Sequence, residues 1–349
     1  MDFAYVGSYT TAKRGGLGTG GISVFKRSSK GDPWEIIQVY EMMNPSYLAF
    51  GREKQNLYAV RADGCVVTAF SIGHDGKLTY LNEKHIGFDN GVFLTTDKLS
   101  QYLFAASPGG IVSVRLQEDG RLGELCDVYT PLGELGPLRP AQRRACSHQI
   151  CFDLDFRYLI EPNKGLDQLN TYTVDKMNGD MTQVGSAKMP QGCCPRHIAF
   201  HPTRPFAYLL TEWIGRVITC AYEDGRFEPI EIVPTTPPDF VGLKNLGAEI
   251  AVHPSGKFVY ASNRGHNSIA VFRVKENGGL ESVSWCSEGV QKPRFFTISA
   301  DGENLYCANE EGHSVTCFRI DMSCGKLTLV DTAMRASAPA CILFKTTEK

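Results

Sequence analysis

Short apolar runs separated by turn signals recur along the chain, and no stretch carries the sustained 3.6-residue apolar period of a long amphipathic helix. Four segments superpose most closely: Asn44-Pro45-Ser46-Tyr47-Leu48-Ala49-Phe50, Cys194-Pro195-Arg196-His197-Ile198-Ala199-Phe200, Lys292-Pro293-Arg294-Phe295-Phe296-Thr297-Ile298 and Ala338-Pro339-Ala340-Cys341-Ile342-Leu343-Phe344. Looser copies run over 89–95, 146–152 and 246–252. Each copy but the last leads through a turn to a second apolar run, such as Leu57-Tyr58-Ala59-Val60 or Phe258-Val259-Tyr260-Ala261. A third run alternates, as in Ser268-Ile269-Ala270-Val271-Phe272-Arg273-Val274, and a turn ending Gly-x-Leu (Gly76-Lys77-Leu78, Gly120-Arg121-Leu122, Gly325-Lys326-Leu327) opens a more exposed fourth. Four short strands recurring every 45 to 57 residues or about that are the pattern of propeller blades.

Seven first strands can be counted, but the last copy runs into the C-terminus after a single strand. Its partners are at the other end, where Ala4-Tyr5-Val6-Gly7-Ser8 and Gly21-Ile22-Ser23-Val24-Phe25 read as second and third strands. Pairing the two ends closes the ring and removes exposed edges. The expected fold is all-β: a seven-bladed β-propeller with four antiparallel strands per blade and a last blade closed by N- and C-terminal strands. Residues 1–349 are then one domain, although length alone suggests about two.

The repeat breaks its own rules at one end. In a propeller the first strands line the central channel, and their beginnings gather with the ends of the second strands at one mouth. Position three of the first-strand segment should be small or apolar. It is Ser46 or Ala340 in two blades but His148, Arg196 and Arg294 in others. The second-strand end gives Ala62 in one blade but Asn163, Glu212, Arg264 and Glu310 elsewhere. Gathering like charges is costly unless they are paired or meet a ligand. Any one of them can be a salt bridge between blades, but the set points to a site for a small anion, since several arginines suit carboxylate or phosphate recognition.

Composition narrows the function. With 42% hydrophobic and 21% charged residues the chain is neither disordered nor fibrous. With 36 basic against 38 acidic residues, no nucleic-acid partner is expected. No run reaches the ~18 apolar residues of a membrane span. No basic segment precedes a long apolar one at the N-terminus, so no signal peptide is expected. The twelve cysteines show no C-x2-C spacing, which predicts buried structural thiols in a reducing, cytoplasmic setting, with no metal and no cofactor. His197 and His201 are four apart, but on a strand entering a turn; His201-Pro202 is echoed by His253-Pro254, which suggests a turn role. The Gly16-x-Gly18-x-Gly20-Gly21 run has no helix after it and reads as a hairpin loop near the channel, not a dinucleotide fingerprint. The Pro- and Gly-rich segment 129–145, with Arg139, Arg143 and Arg144, and the segment 234–238 are either loops roofing the mouth or simple insertions.

The residues also resemble a known family. Tyr5-Val6-Gly7-Ser8-Tyr9-Thr10, Asn44-Pro45-Ser46-Tyr47-Leu48, Pro195-Arg196-His197 with Phe200-His201-Pro202, and Ala261-Ser262-Asn263-Arg264-Gly265 are similar to those of the seven-bladed propeller lactonases. That family includes bacterial 6-phosphogluconolactonases of the propeller type and fungal 3-carboxy-cis,cis-muconate cyclases. The resemblance spans essentially the whole chain and implies that His148, Arg196, Glu212 and Arg264 occupy active-site positions. It departs where a usual His-x-His is Cys146-Ser147-His148, where Pro-Asp-Leu-Gly-x-Asp is Pro162-Asn163-Lys164-Gly165-Leu166-Asp167, and where a second-blade histidine is Phe93.

Three functions remain open on these residues. A lactonase would hydrolyse a small anionic sugar lactone, with Arg196 and Arg264 on the anion or oxyanion and His148 or Glu212 as general base. Arg294, Asn163, Glu310 and His197 would line the substrate. G-x-S-x-G is absent, so no serine nucleophile is indicated. A cycloisomerase would use the same groups to make or open a lactone without attack by water. A non-catalytic scaffold would carry its irregular residues on the outer rim instead. The oligomeric state is not set by the sequence.

Overall fold

The computed structural model describes residues 1–242 and 244–346. Their strands form seven antiparallel four-stranded sheets. Blades 1 to 6 span 45–85, 93–129, 151–188, 195–234, 246–286 and 293–335. In blade 7, Pro339–Thr346 pairs with Asp2–Ser8, followed outward by Gly21–Arg27 and Glu35–Glu41. Inner strands of each blade pack on those of the next, and 339–346 packs on 45–50, so the expected ring closes.

Burial follows position in the blade. Second strands such as Phe258–Arg264 are buried on both faces except at the last residue, whereas the outer strand Met181–Lys188 alternates toward solvent. A polar tie repeats between blades. The hydroxyls of Tyr5, Tyr58, Tyr208 and Tyr260 donate to the carbonyls of Gly76, Gly120, Gly278 and Gly325, at 2.9, 3.0, 3.0 and 2.9 Å. These glycines are the turn residues of the Gly-x-Leu signal. Gly76 has φ +83°, and a Cβ there would lie 2.2 Å from the Phe3 ring, so both backbone and packing require glycine.

Two expected strands differ. In blade 2, Phe93 pairs with Ala106 as Tyr47 pairs with Val60, so the copy read at 89–95 is one residue late in the structure. In blade 3 the first strand shrinks to Cys151–Phe152, because Pro162 opposite has no N–H to continue the ladder. Eight thiols are buried and all twelve are free. Among the described residues no helix is long and apolar enough to cross a membrane.

Candidate functional site

Backbone irregularity positions the site. In blades 1, 4 and 6, as at Ala340 in blade 7, the ladder jumps from position two to position four, as Pro195 pairs with Thr211 and His197 with Leu210. Ser46, Arg196 and Arg294 are thereby left out of pairing. The residues two before them, Asn44, Cys194 and Lys292, have φ of 46°, 54° and 52°. Such a bulge re-aims the side chain it releases. The three released residues line one cavity of about 10 Å³ together with Tyr47, His197 and Glu249. That is room for about one water.

Charge then gathers from neighbouring blades. Glu212 pairs with Arg264 at 2.8 Å through Oε1 and with Lys164 through Oε2, joining blades 3, 4 and 5. Arg264 also donates to the Gly247 carbonyl at 3.0 Å. Glu310 takes Lys292 at 2.8 Å and Arg294 at 3.7 Å. Arg196 differs from all of these. It is 2% exposed, its Nη1 donates to the Ala248 carbonyl, its Nε has no partner, and no carboxylate pairs with it among the described residues. Burial and the nearby Arg264 push it down to about 9, which still leaves it a cation at neutral pH. Burial would raise the Glu212 carboxyl, but Lys164, Arg264 and Arg196 outweigh it and hold the group well below its ordinary value.

A histidine pair adjoins these charges. His148 Nδ1 lies 3.2 Å from His197 Nε2, and His197 Nδ1 lies 2.8 Å from Glu249 Oε1. Burial, with Arg196 and Lys164, holds His148 well below its ordinary value. Burial pushes His197 down to about 4 although Glu249 opposes it. The unfolded chain therefore binds more protons than the fold below about pH 6.5. Stability from His197 is complete above that pH and is lost as the pH falls toward 4, by on the order of 3 kcal/mol. Thermal unfolding followed at pH 7, 6, 5 and 4 should show this decline, and His197→Gln should flatten it; an equal slope in both proteins would sink the assignment.

The comparisons with known proteins now bear on this arrangement. The family model described as "Lactonase, 7-bladed beta-propeller" matches residues 3–344. The chain belongs to that family. Among its relatives, the 6-phosphogluconolactonase of Bacillus subtilis is 32% identical over 348 residues, 97% of either chain. A Lactobacillus plantarum protein of solved structure superposes with TM-score 0.90 at 25% identity, covering 99% of this chain and 100% of that one. The periplasmic gluconolactonase of Pseudomonas aeruginosa shares the fold, with TM-score 0.88 at 23% identity over 99% of both chains.

In this lactonase propeller, His148, Arg196, Glu212, Arg264, Arg294 and Glu310 come together where first strands begin and second strands end. Two expected substrate contacts are engaged within the protein. Asn163 accepts from the amides of Cys146, Gly165 and Leu166 and donates to the buried Glu161. It organises a turn. His197 lies one residue deeper than Arg196, with both ring nitrogens engaged inside the protein. Three residues escaped the sequence reading: Lys164, Lys292 and Glu249. The Lys164 amide bonds the Cys146 carbonyl as the Glu212 amide bonds that of Cys194, so Lys164, not Asn163, is the repeat equivalent of Glu212. Glu249 stands at position four of a loose copy, one residue beyond the position where the repeat breaks its rule.

The surrounding loops are anchored near the mouth. Segment 130–145 is tied to the Lys164–Gly165 turn, with Gln142 Nε2 donating to the Lys164 carbonyl and the Gly136 amide to that of Gly165. Arg139 bends back to the Gly136 carbonyl, and Arg143 and Arg144 are exposed. His201 and His253 hold the next blade's turn through the carbonyls of Gly256 and Gly302, at 3.0 and 2.9 Å. Roomier clefts of about 620 and 600 Å³ lie by the opposite turns, around Asp301 and Phe156. Neither contains a buried unpartnered cation or carboxylate, so volume alone does not make them the better candidates.

Proposed function

We propose that this propeller hydrolyses a small anionic sugar lactone at the mouth of its channel. The observation that carries the reading is Arg196, a buried cation with an unpartnered Nε and no ion pair among the described residues, beside a neutral His148. Such a cation is costly until an anion arrives, and a lactone carbonyl becoming an oxyanion supplies one. Burial with neighbouring cations keeps His148 unprotonated and able to accept, whereas Glu212 is committed to two cations. His148 is therefore the base, and Glu212 holds Lys164 and Arg264 in place.

In the reaction, His148 takes a proton from water as the water oxygen bonds to the lactone carbonyl carbon. Arg196 faces the oxyanion. The ring C–O bond then breaks, and the imidazolium returns its proton to the leaving ring oxygen, giving a hydroxy acid. Acid–base catalysis of this kind contributes about 10²–10⁴-fold. Arg264, Arg294 and Lys292 are placed to meet a carboxylate or phosphate on the substrate. The unpaired thiols suit a reducing, cytoplasmic setting.

The test offers purified protein δ-6-phosphogluconolactone, unphosphorylated sugar lactones and carboxymuconolactone, at a pH where spontaneous opening is slow, in ¹⁸O-labelled water. Turnover faster than that of Arg196→Ala, with one label in the product carboxylate, is expected. Ring opening without label would replace hydrolysis by the cycloisomerase reading. No turnover above the variant would remove the enzyme reading.

A further inference from the structure

Below the charged mouth, position four of each first strand forms a second ring: Tyr47, Phe93, Gln149, His197, Glu249, Phe295 and Cys341. Tyr47 stacks on Phe93 with centroids 3.9 Å apart, and Phe93 meets the His197 ring edge-on at 5.4 Å. Glu249 is the one acidic member, and it is 6% exposed. Its Oε2 has no hydrogen-bond partner. A carboxyl set among aromatic rings and a thiol weakens the packing, so its contacts should account for it.

Those contacts fix proton positions. Glu249 Oε1 accepts from the Ile250 amide at 3.1 Å, so toward His197 Nδ1, 2.8 Å away, it is again the acceptor. His197 therefore carries its proton on Nδ1 and presents a lone pair at Nε2. Arg196 Nη1, which can only donate, faces that same Nε2 at 3.4 Å and agrees. His148 Nδ1, 3.2 Å from it, must then be the protonated nitrogen of its ring. The remaining nitrogen, His148 Nε2, has no protein partner among the described residues.

We infer that Glu249 is a positioning residue which, through His197, sets the tautomer of His148 so that Nε2 is the atom that receives the proton. The inference rests on the hydrolytic reading for its kinetic consequence, but not for the tautomers. As His148 becomes a cation, its Nδ1–H strengthens toward His197, and Glu249 supplies a negative charge at the far end of the chain. Arg196, Lys164 and Arg294 act against that cation, and Glu212, the other carboxylate nearby, is taken up by Lys164 and Arg264. Tyr47 and the Cys341 thiol, packed against the same ring, stay neutral. Glu249 is the carboxylate bonded directly to the pair.

The test compares wild type with Glu249→Gln, which retains an acceptor without charge, and Glu249→Leu, which has neither. Thermal melts establish that each is folded. In ¹⁵N-histidine spectra at neutral pH, wild-type His148 and His197 should both be protonated at Nδ1, with Glu249→Leu showing mixed tautomers. On a lactone that the wild type hydrolyses, kcat should fall in the order wild type, Gln, Leu. The Leu variant should lose at least about tenfold, a part of the 10²–10⁴-fold that acid–base catalysis supplies, with KM near unchanged. The acid limb of the rate profile should move to lower pH, because removing an anion disfavours the imidazolium. Wild-type His148 protonated at Nε2, or an unchanged kcat and pH profile in the Leu variant, would overturn the inference. A wild type inert to every lactone would defeat the hydrolytic reading instead, and the spectra would still decide the tautomers.

Discussion

Replacing Arg196 with alanine should remove most lactone turnover and leave the propeller as stable as before, or more so. The guanidinium is buried with no ion pair among the described residues, and its Nε is unpartnered. Burying a cation in this way costs several kcal/mol. The variant removes that cost and adds a smaller one, since the Ala248 carbonyl loses its donor, worth about 1–3 kcal/mol. The balance favours an unchanged or higher melting temperature. Catalysis should move the other way, with kcat/KM falling by about 10²–10³-fold, the usual effect of losing one oxyanion donor. Arg196→Lys should not restore it, because an ammonium cannot hold the Ala248 carbonyl and an oxyanion with a planar fork. Opposite movements of stability and rate mark a site that keeps an unfavourable charge for use. A lower melting temperature with undiminished turnover would make Arg196 a strut.

Glu212→Gln should have the larger effect on stability. The carboxylate holds Lys164 of blade 3 and Arg264 of blade 5. Without its charge, two buried cations face each other across a neutral amide, and breaking one member of a buried pair costs about 3–5 kcal/mol. Chemical denaturation should show a loss of that order. Adding Lys164→Met should recover part of it, because the orphaned charge is then gone. The acid response should change as well. A carboxyl held below its ordinary value contributes stability above the unfolded-state value near 4.5, and that stability is lost as the pH falls through the folded value. Wild type should therefore weaken below about pH 4.5 more steeply than the Gln variant. Unchanged stability together with lost turnover would return Glu212 to the role of acid–base catalyst.

The repeat was legible because a propeller writes the same demands seven times. Apolar second strands, Gly-x-Leu turns and a split terminal blade all follow from packing one sheet against the next, and each leaves a trace in residue type. The site was legible where one residue broke that rhythm, as Arg196 and Arg294 do. It was not legible where a register step decided the outcome. Asn163 and Lys164 are neighbours, and only the bond from the Lys164 amide to the Cys146 carbonyl shows which of them takes the place of Glu212. Glu249 was missed because its role lies in a contact with His197, a residue 52 positions away in the chain. Nor does a sequence tell depth along a strand, which is what separates His197 from Arg196.

The pairing of 339–346 with 2–8 also shapes how the molecule is made. During synthesis Asp2–Ser8 is made well before its inner partner Pro339–Thr346, which lies more than 330 residues further along. Until then Asp2–Ser8 has Gly21–Arg27 on one side and an unpaired edge on the other. Six blades can assemble from nearest neighbours as they appear, but the seventh must wait for a contact spanning nearly the whole chain. Such long-range pairing is slow and leaves an edge open to association meanwhile. Closing the ring is therefore a different kind of step from adding a blade: it joins two distant segments and ends the exposure of that edge.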